Sequence, residues 1–159
     1  MQKFLFMIQR IQSLYLLLAA LLTGSLFFIN LVNIYGIAGD FALLFYGIVN
    51  VGATQTETIV FLFPLALLMV ATFFSIFISI FLYRKRVLQI RLCGINMGLL
   101  TGLVVMIIYL GVSAAKKWEM DYSFSFAIVF PIIAIVLIYL SLRAIGKDEA
   151  LVRSIDRIR

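Results

Sequence analysis

Histidine is absent from this 159-residue sequence, and cysteine occurs only once, as Cys93. Without histidine, the chain lacks the commonest general base and the commonest metal ligand. A single cysteine cannot form a disulfide within the chain, so nothing in the sequence indicates an oxidising environment. These absences argue against most hydrolases and transition-metal enzymes. We therefore expect no catalytic residue, no metal site and no cofactor.

Charged residues are also scarce, at 13% of the chain, whereas hydrophobic residues make up 65% and the mean hydropathy is +1.18. A soluble domain is roughly a quarter charged. So few charges cannot cover a water-facing surface, and most of the surface is expected to face lipid. The composition therefore predicts an all-α membrane protein, and the length predicts a single domain.

Four long apolar segments predict a bundle of four transmembrane helices. Each segment reaches the roughly 20 residues that a helix needs to cross a bilayer. None has Asp, Glu, Lys or Arg in its interior, which disfavours ion-coupled transport and intramembrane catalysis, since both need ionisable groups at depth. The predicted bounds are about 13–34, 58–83, 93–115 and 124–142.

Basic residues are distributed unevenly between the two ends of these segments. Eleven of the 13 fall at the termini and in the loop between the second and third segments, and only Lys116 and Lys117 fall on the other side. Because basic loops stay in the cytoplasm, both termini are predicted to be cytoplasmic. The tail, 143–159, is expected to form an amphipathic helix after a break at Gly146.

The first segment could instead be a cleaved signal peptide, since Gly36 and Ala38 form a small-x-small pattern after it. Signal peptides have an apolar region of only about 7–15 residues, which favours an uncleaved helix here. The region 35–57 then lies outside the cytoplasm. Its apolar stretch, 41–49, is too short to cross a membrane and is flanked by turn-forming residues. This pattern predicts a β-hairpin or an interfacial lid between the first two helices.

The lid has two interpretations that the sequence leaves open: it packs on the helix bundle, or it is a docking surface for a partner. The second outer loop carries aromatic residues that are expected to anchor at the membrane surface, namely Trp118 and Tyr122.

Gly94, Gly98 and Gly102 recur at a spacing of four in the third segment. A glycine has no Cβ, so a neighbouring helix can approach such a row closely. Ala20 and Gly24 offer a complementary small surface in the first segment. We therefore predict close packing of the first helix against the third. The alternative is that the glycine row binds another protein or a second copy of this chain.

Two prolines lie within the apolar segments, Pro64 in the second and Pro131 in the fourth. Proline inside a helix kinks it, so both segments are predicted to be kinked, and such kinks can serve as hinges. Asn30, Asn33 and Asn96 are the most polar residues in or near the segments. We expect them to form hydrogen bonds between helices.

Three stretches carry a more specific signal: MIQRIQSLYLLL at 7–18, LQIRLC at 88–93 and KDEALVRSIDRIR at 147–159. Together they resemble a family of small four-span membrane proteins from Bacteroidota, classed as domain of unknown function 4293. The resemblance extends over essentially the whole chain. It implies a multi-pass protein of the bacterial inner membrane, and it implies no activity.

All three stretches lie on the predicted cytoplasmic side, where they are expected to assemble into one site. In that site Arg10, Arg91 and Arg153 would pair with Glu149 or Asp156. The site would be either a structural clasp that closes the bundle or a docking platform for a partner.

The sequence thus predicts a non-catalytic accessory or scaffolding subunit of an inner-membrane assembly. A small-molecule or lipid transporter that acts as an oligomer is the alternative. The expected partners are the lipid bilayer and either other membrane proteins or further copies of the chain. Nucleic acid is not expected, because the basic loop at 84–91 is short and lacks an aromatic platform.

Overall fold

The computed structural model describes residues 2–36, 39–51, 58–82 and 85–156, with side chains described at 11–36, 39–51, 60–82 and 85–147. The protein is mostly helical, with a small antiparallel sheet. The helices are α1 (Gln2–Ser25), α2 (Phe63–Phe81), α3 (Arg86–Trp118) and α4 (Val129–Asp156). The strands are β1 (Val32–Gly36), β2 (Gly39–Leu43), β3 (Gly47–Asn50), β4 (Thr58–Phe61) and β5 (Asp121–Phe124). A short 3-10 helix, Phe126–Ile128, leads into α4.

Each helix packs against two others: α1 against α2 and α4, and α3 against the same two helices. Each buries one stripe of its described side chains, as in α2, where Leu65, Met69, Thr72, Ile76 and Ser79 are buried at helical spacing. Among the residues with described side chains, three helical stretches are long and apolar enough to cross a membrane: Phe63–Phe81, Arg86–Trp118 and Phe126–Lys147. The apolar part of α1 with described side chains, Ile11–Ser25, is shorter.

The first apolar segment is not helical as far as Ile34, and this prediction was wrong. The helix ends at Ser25, whose Oγ donates to the Leu22 carbonyl at 2.8 Å. The next three backbone N–H groups bond to carbonyls three residues earlier, so tight turns satisfy the end of the helix. The rest of the segment leads into β1. A run of apolar residues fits a buried strand as well as a helix, which is why hydropathy did not separate the two.

The two prolines begin helices and do not kink them. Pro64 is the second residue of α2, and Pro131 is the third residue of α4. In the first turn the backbone N–H has no helical partner, so proline loses nothing there and its fixed φ suits the helix. The predicted kinks are therefore wrong. The predicted break at Gly146 is wrong too, because α4 continues to Asp156.

A five-stranded sheet with the order β4-β3-β2-β1-β5 lies at one end of the helices, and all its strand pairs are antiparallel. The β structure predicted within 35–57 is confirmed for the described part of that region, while residues 52–57 lie outside it. The sheet is larger than predicted. It begins at Val32, and its fifth strand comes from the loop that follows α3.

The sheet and the helix ends share one core. Val32, Ile34 and Leu43 have no exposed surface. A Cβ added to Gly111 of α3 would lie 2.9 Å from Cγ2 of Val32, so β1 packs directly on the helix. Trp118 lies against Phe41, with ring centroids 5.3 Å apart. The sheet is thus fixed to the helices by apolar contacts.

Candidate functional site

Helix α3 has two faces of opposite character. Its inner face carries buried residues that meet α2 and α4: Gln89, Cys93, Asn96, Leu100, Leu103 and Ile107. On the opposite side, Gly94, Gly98 and Gly102 are all exposed. We call this exposed glycine row the glycine face.

The predicted packing of the glycine face against Ala20 and Gly24 is wrong within a single chain. A Cβ added to Gly94, Gly98 or Gly102 would meet no described atom within 4 Å. The physical reason is angular: the large apolar residues of α3 form the core, and the glycine row lies on the other side of the helix.

Ala20 and Gly24 contribute to a different contact, between α1 and α2. A Cβ on Gly24 would lie 3.1 Å from Cε2 of Phe73, and Ala20 is buried. Beside them is an apolar groove of about 520 Å³, which we call the α1–α2 groove. Its walls include Leu17, Leu21, Phe27, Phe28, Phe73 and Phe77. Phe28 is 89% exposed at its rim.

A second, shallower groove of about 430 Å³ lies further along α3. It is lined by Val105, Ile108, Tyr109, Val112, Ser113 and Lys116. Gly98, Val105 and Val112 are seven residues apart, so they share one side of the helix. The glycine face therefore continues into this groove, and α3 presents one open side along most of its length.

Polar side chains connect the helices in the interior. Asn96 Nδ2 donates to Ser79 Oγ at 3.0 Å, which confirms the predicted bond between helices. Gln89 Nε2 donates to the Ser79 carbonyl at 3.1 Å. On the other side, Ser141 Oγ of α4 donates to the backbone carbonyl of Gln12 in α1 at 3.3 Å. Neither bond was predicted, although Gln89 and Ser141 are polar residues in or beside the apolar segments.

Asn30 does not reach another helix, because α1 has ended before it. Its Nδ2 donates instead to Oδ1 of Asn33 in β1, at 3.4 Å. The expected bond between helices is therefore replaced by a local contact at the start of the sheet.

The predicted cytoplasmic site falls largely outside the described side chains. The structure describes the backbone but not the side chains of four of its residues: Arg10 in α1, and Glu149, Arg153 and Asp156 in α4. Arg91 is described and is exposed on α3. The clasp and the docking platform both remain predictions.

Among the described residues, no three His, Cys, Asp or Glu side chains lie close enough to hold a metal ion. The described surface instead has an open glycine row on one helix and apolar grooves on the outer faces of the helices. Such surfaces suit contact with another helix or with lipid chains.

Three helices able to cross a bilayer, linked by a small sheet, suggest a helical membrane protein. The sequence model of one family matches residues 8–158, nearly the whole chain. The chain therefore belongs to the family described as Domain of unknown function (DUF4293). Among curated proteins, none matches it.

Proposed function

We propose that the chain crosses the bacterial inner membrane four times, with both termini in the cytoplasm and the sheet on the outer side. The apolar part of α1, Ile11–Ser25, is about 22 Å long. The mostly apolar residues 26–31 that follow it complete the crossing of a hydrocarbon core of about 30 Å and lead into the sheet. With four crossings, eleven of the 13 basic residues lie in the cytoplasm.

In this membrane the chain serves as a non-catalytic accessory or scaffolding subunit that holds other transmembrane helices. One observation carries this proposal: the glycine face is open although α3 is packed on its opposite side. Lipid offers no hydrophobic drive for helix association, so close approach at small residues is a main source of attraction. Three glycines in a row on the outer side of α3 allow the backbone of another helix to come close.

A second candidate is the transport of a lipid or an apolar small molecule, favoured by the α1–α2 groove, which is almost wholly apolar. The groove lies on the outer face of two helices. Between the helices, Leu100, Ile107 and Ile138 have no exposed surface. A closed core with grooves outside it favours scaffolding over transport. The prolines no longer support transport, since they begin helices and are not hinges.

A pair of matched substitutions tests the scaffolding role. Gly98→Leu should leave the thermal stability of the purified protein unchanged, because its Cβ meets no described atom. It should remove partners that co-purify with the wild type from native membranes. Gly111→Leu is the control, and it should lower stability, because its Cβ would lie 2.9 Å from Val32. Thermal unfolding in detergent and quantitative mass spectrometry of co-purified proteins measure the two effects.

The opposite pattern would reject the proposal. If Gly98→Leu destabilises the protein as much as Gly111→Leu does, the glycine face is part of the internal packing. If Gly98→Leu keeps both stability and every partner of the wild type, the open face has no scaffolding role.

A further inference from the structure

Strand β5 is an exposed edge of the sheet. Among the described residues it pairs with β1 alone, and all four of its residues are exposed. Tyr122 is 45% exposed and Phe124 is 38% exposed. Their rings lie on the same side of the strand, in edge-to-face contact with centroids 5.4 Å apart. An edge strand presents unpaired backbone groups, which bind another extended strand.

The register shows which backbone groups face outward. Just beyond the strand, the Ser125 N–H donates to the Leu31 carbonyl at 3.2 Å, on the β1 side. In antiparallel pairing, the backbone groups of alternate residues point the same way. Ser123 and Asp121 therefore face β1, whereas the N–H and C=O groups of Tyr122 and Phe124 point away from the sheet.

The opposite edge of the sheet differs. The pairing between β3 and β4 shifts register between Ile48 and Val49, as in a β-bulge. Bulges twist an edge and protect it from pairing with other strands. The pairing of β5 with β1 is regular over all four residues. Of the two edges, β5 is therefore the one suited to pairing.

We propose that β5 pairs in antiparallel fashion with β5 of a second copy of this chain, about a two-fold axis at Ser123. Tyr122 then lies opposite the partner's Phe124 and exchanges both hydrogen bonds with it, as Phe124 does with the partner's Tyr122. This arrangement satisfies the outward N–H and C=O groups of both residues.

The side chains match as well as the backbone. The pairing brings the Tyr122 and Phe124 rings of both copies together on one side, and aromatic residues directly opposite one another stabilise strand pairs. Asp121 lies opposite the partner's Ser125, so no like charges face each other. A strand whose pattern matches its own reverse is suited to a second copy of itself, because a two-fold interface is self-complementary.

This inference goes beyond the proposed scaffolding role and does not depend on it. It uses the geometry of β5 alone and holds whichever side of the membrane the sheet occupies. The glycine face belongs to α3 and stays available in the paired form.

Cysteine crosslinking in native membranes tests the pairing, in a chain whose only cysteine is removed by Cys93→Ala. In the proposed register the two Ser123 Cα atoms are about 4.5 Å apart, within the range that a disulfide bridges. The two Asp121 Cα atoms are about 14 Å apart, too far for a disulfide. With copper phenanthroline as oxidant, Ser123→Cys should give about tenfold more crosslinked dimer than Asp121→Cys, because only its Cα atoms are close enough.

Equal crosslinking of the two variants, or no dimer from either, would overturn the proposal. A second variant tests the backbone bonds. Tyr122→Pro removes an outward N–H and leaves the bonds to β1, and proline is tolerated at a sheet edge. Added to Ser123→Cys, it should abolish the dimer, with the thermal unfolding midpoint of the monomer unchanged. Dimer that persists in this variant would also overturn the pairing.

Gly98→Leu combined with Ser123→Cys separates this inference from the scaffolding role. The crosslink should persist when the partners of the glycine face are lost. A crosslink that disappears with Gly98→Leu would mean that β5 does not pair on its own, and would overturn the inference as stated.

Discussion

Asn96 has no exposed surface and joins α3 to α2 through Ser79 Oγ. Its Oδ1 is buried without a hydrogen-bond partner among the described residues. Burying a polar atom without a partner costs folding free energy. The bond made by Nδ2 offsets part of that cost. The backbone carbonyl of Ser79 also accepts a hydrogen bond from Gln89 Nε2. One residue of α2 thus binds two side chains of α3.

A double-mutant cycle measures this contact. Asn96→Ala and Ser79→Ala, made singly and together, should show a coupling of about 1 kcal/mol in equilibrium unfolding in detergent, typical of a hydrogen bond between membrane helices. Thr101→Ala is the control, because Thr101 bonds to no described residue except Met97 of its own helix. Its effect should add to that of Asn96→Ala within about 0.5 kcal/mol. Additive effects for Asn96 and Ser79 would show that the bond contributes nothing.

Gly47 begins β3 and lies opposite Phe61 of β4, with little space between the two backbones. A Cβ there would collide with the backbone carbonyl of Val60. The turn before it is closed by two backbone bonds between Leu44 and Gly47, at 2.8 and 3.3 Å. Backbone cannot move aside as a flexible side chain can, so only glycine fits this position.

Gly47→Ala should therefore destabilise the protein by about 1–3 kcal/mol, the usual effect of overpacking. Gly146→Ala is the matched control: its Cβ would meet no described atom, and alanine favours a helix over glycine by about 0.5–1 kcal/mol. Thermal unfolding in detergent compares the two. If Gly47→Ala is as stable as the wild type, β3 and β4 must lie far enough apart at this position to admit a Cβ.

The elements show how far the sequence alone could go. The apolar segments from residue 58 onward were recognised because nothing charged interrupts them, and the helices they contain are present. The end of α1 at Ser25 was not predicted because apolar residues follow it and fill the core beneath the sheet. Their hydropathy is as high as that of a membrane helix, so hydropathy does not distinguish the two structures. The pairing of β5 with β1 depends on contacts distant in sequence, which no local pattern of DYSF reveals.

The glycine row was equally visible in the sequence, but its direction was not. Spacing alone says that Gly94, Gly98 and Gly102 share a side of α3. Which side meets the other helices depends on where Gln89, Asn96 and Leu100 pack, and on α1 contacting α2 and α4. The sequence therefore identified the three glycines that share a side of α3, but the predicted contact of that side with α1 was wrong.

At the scale of the whole molecule, the central claim is the arrangement in the membrane: four crossings, cytoplasmic termini and the sheet outside. The described sheet carries exposed Asp40 and Asp121, while Lys85 and Lys147 are exposed at the other end of the helices. These positions allow each side of the membrane to be probed with a single introduced cysteine.

The direct measurement is labelling of intact cells with a membrane-impermeant maleimide, in chains that carry Cys93→Ala. Asp40→Cys and Asp121→Cys should be labelled at once, whereas Lys3→Cys, Lys85→Cys and Lys147→Cys should react only after the membrane is opened, because the basic ends stay inside. Labelling of Lys3→Cys in intact cells would show that α1 does not cross the membrane. Labelling of Lys85→Cys and Lys147→Cys, with Asp40→Cys and Asp121→Cys protected, would contradict the whole orientation.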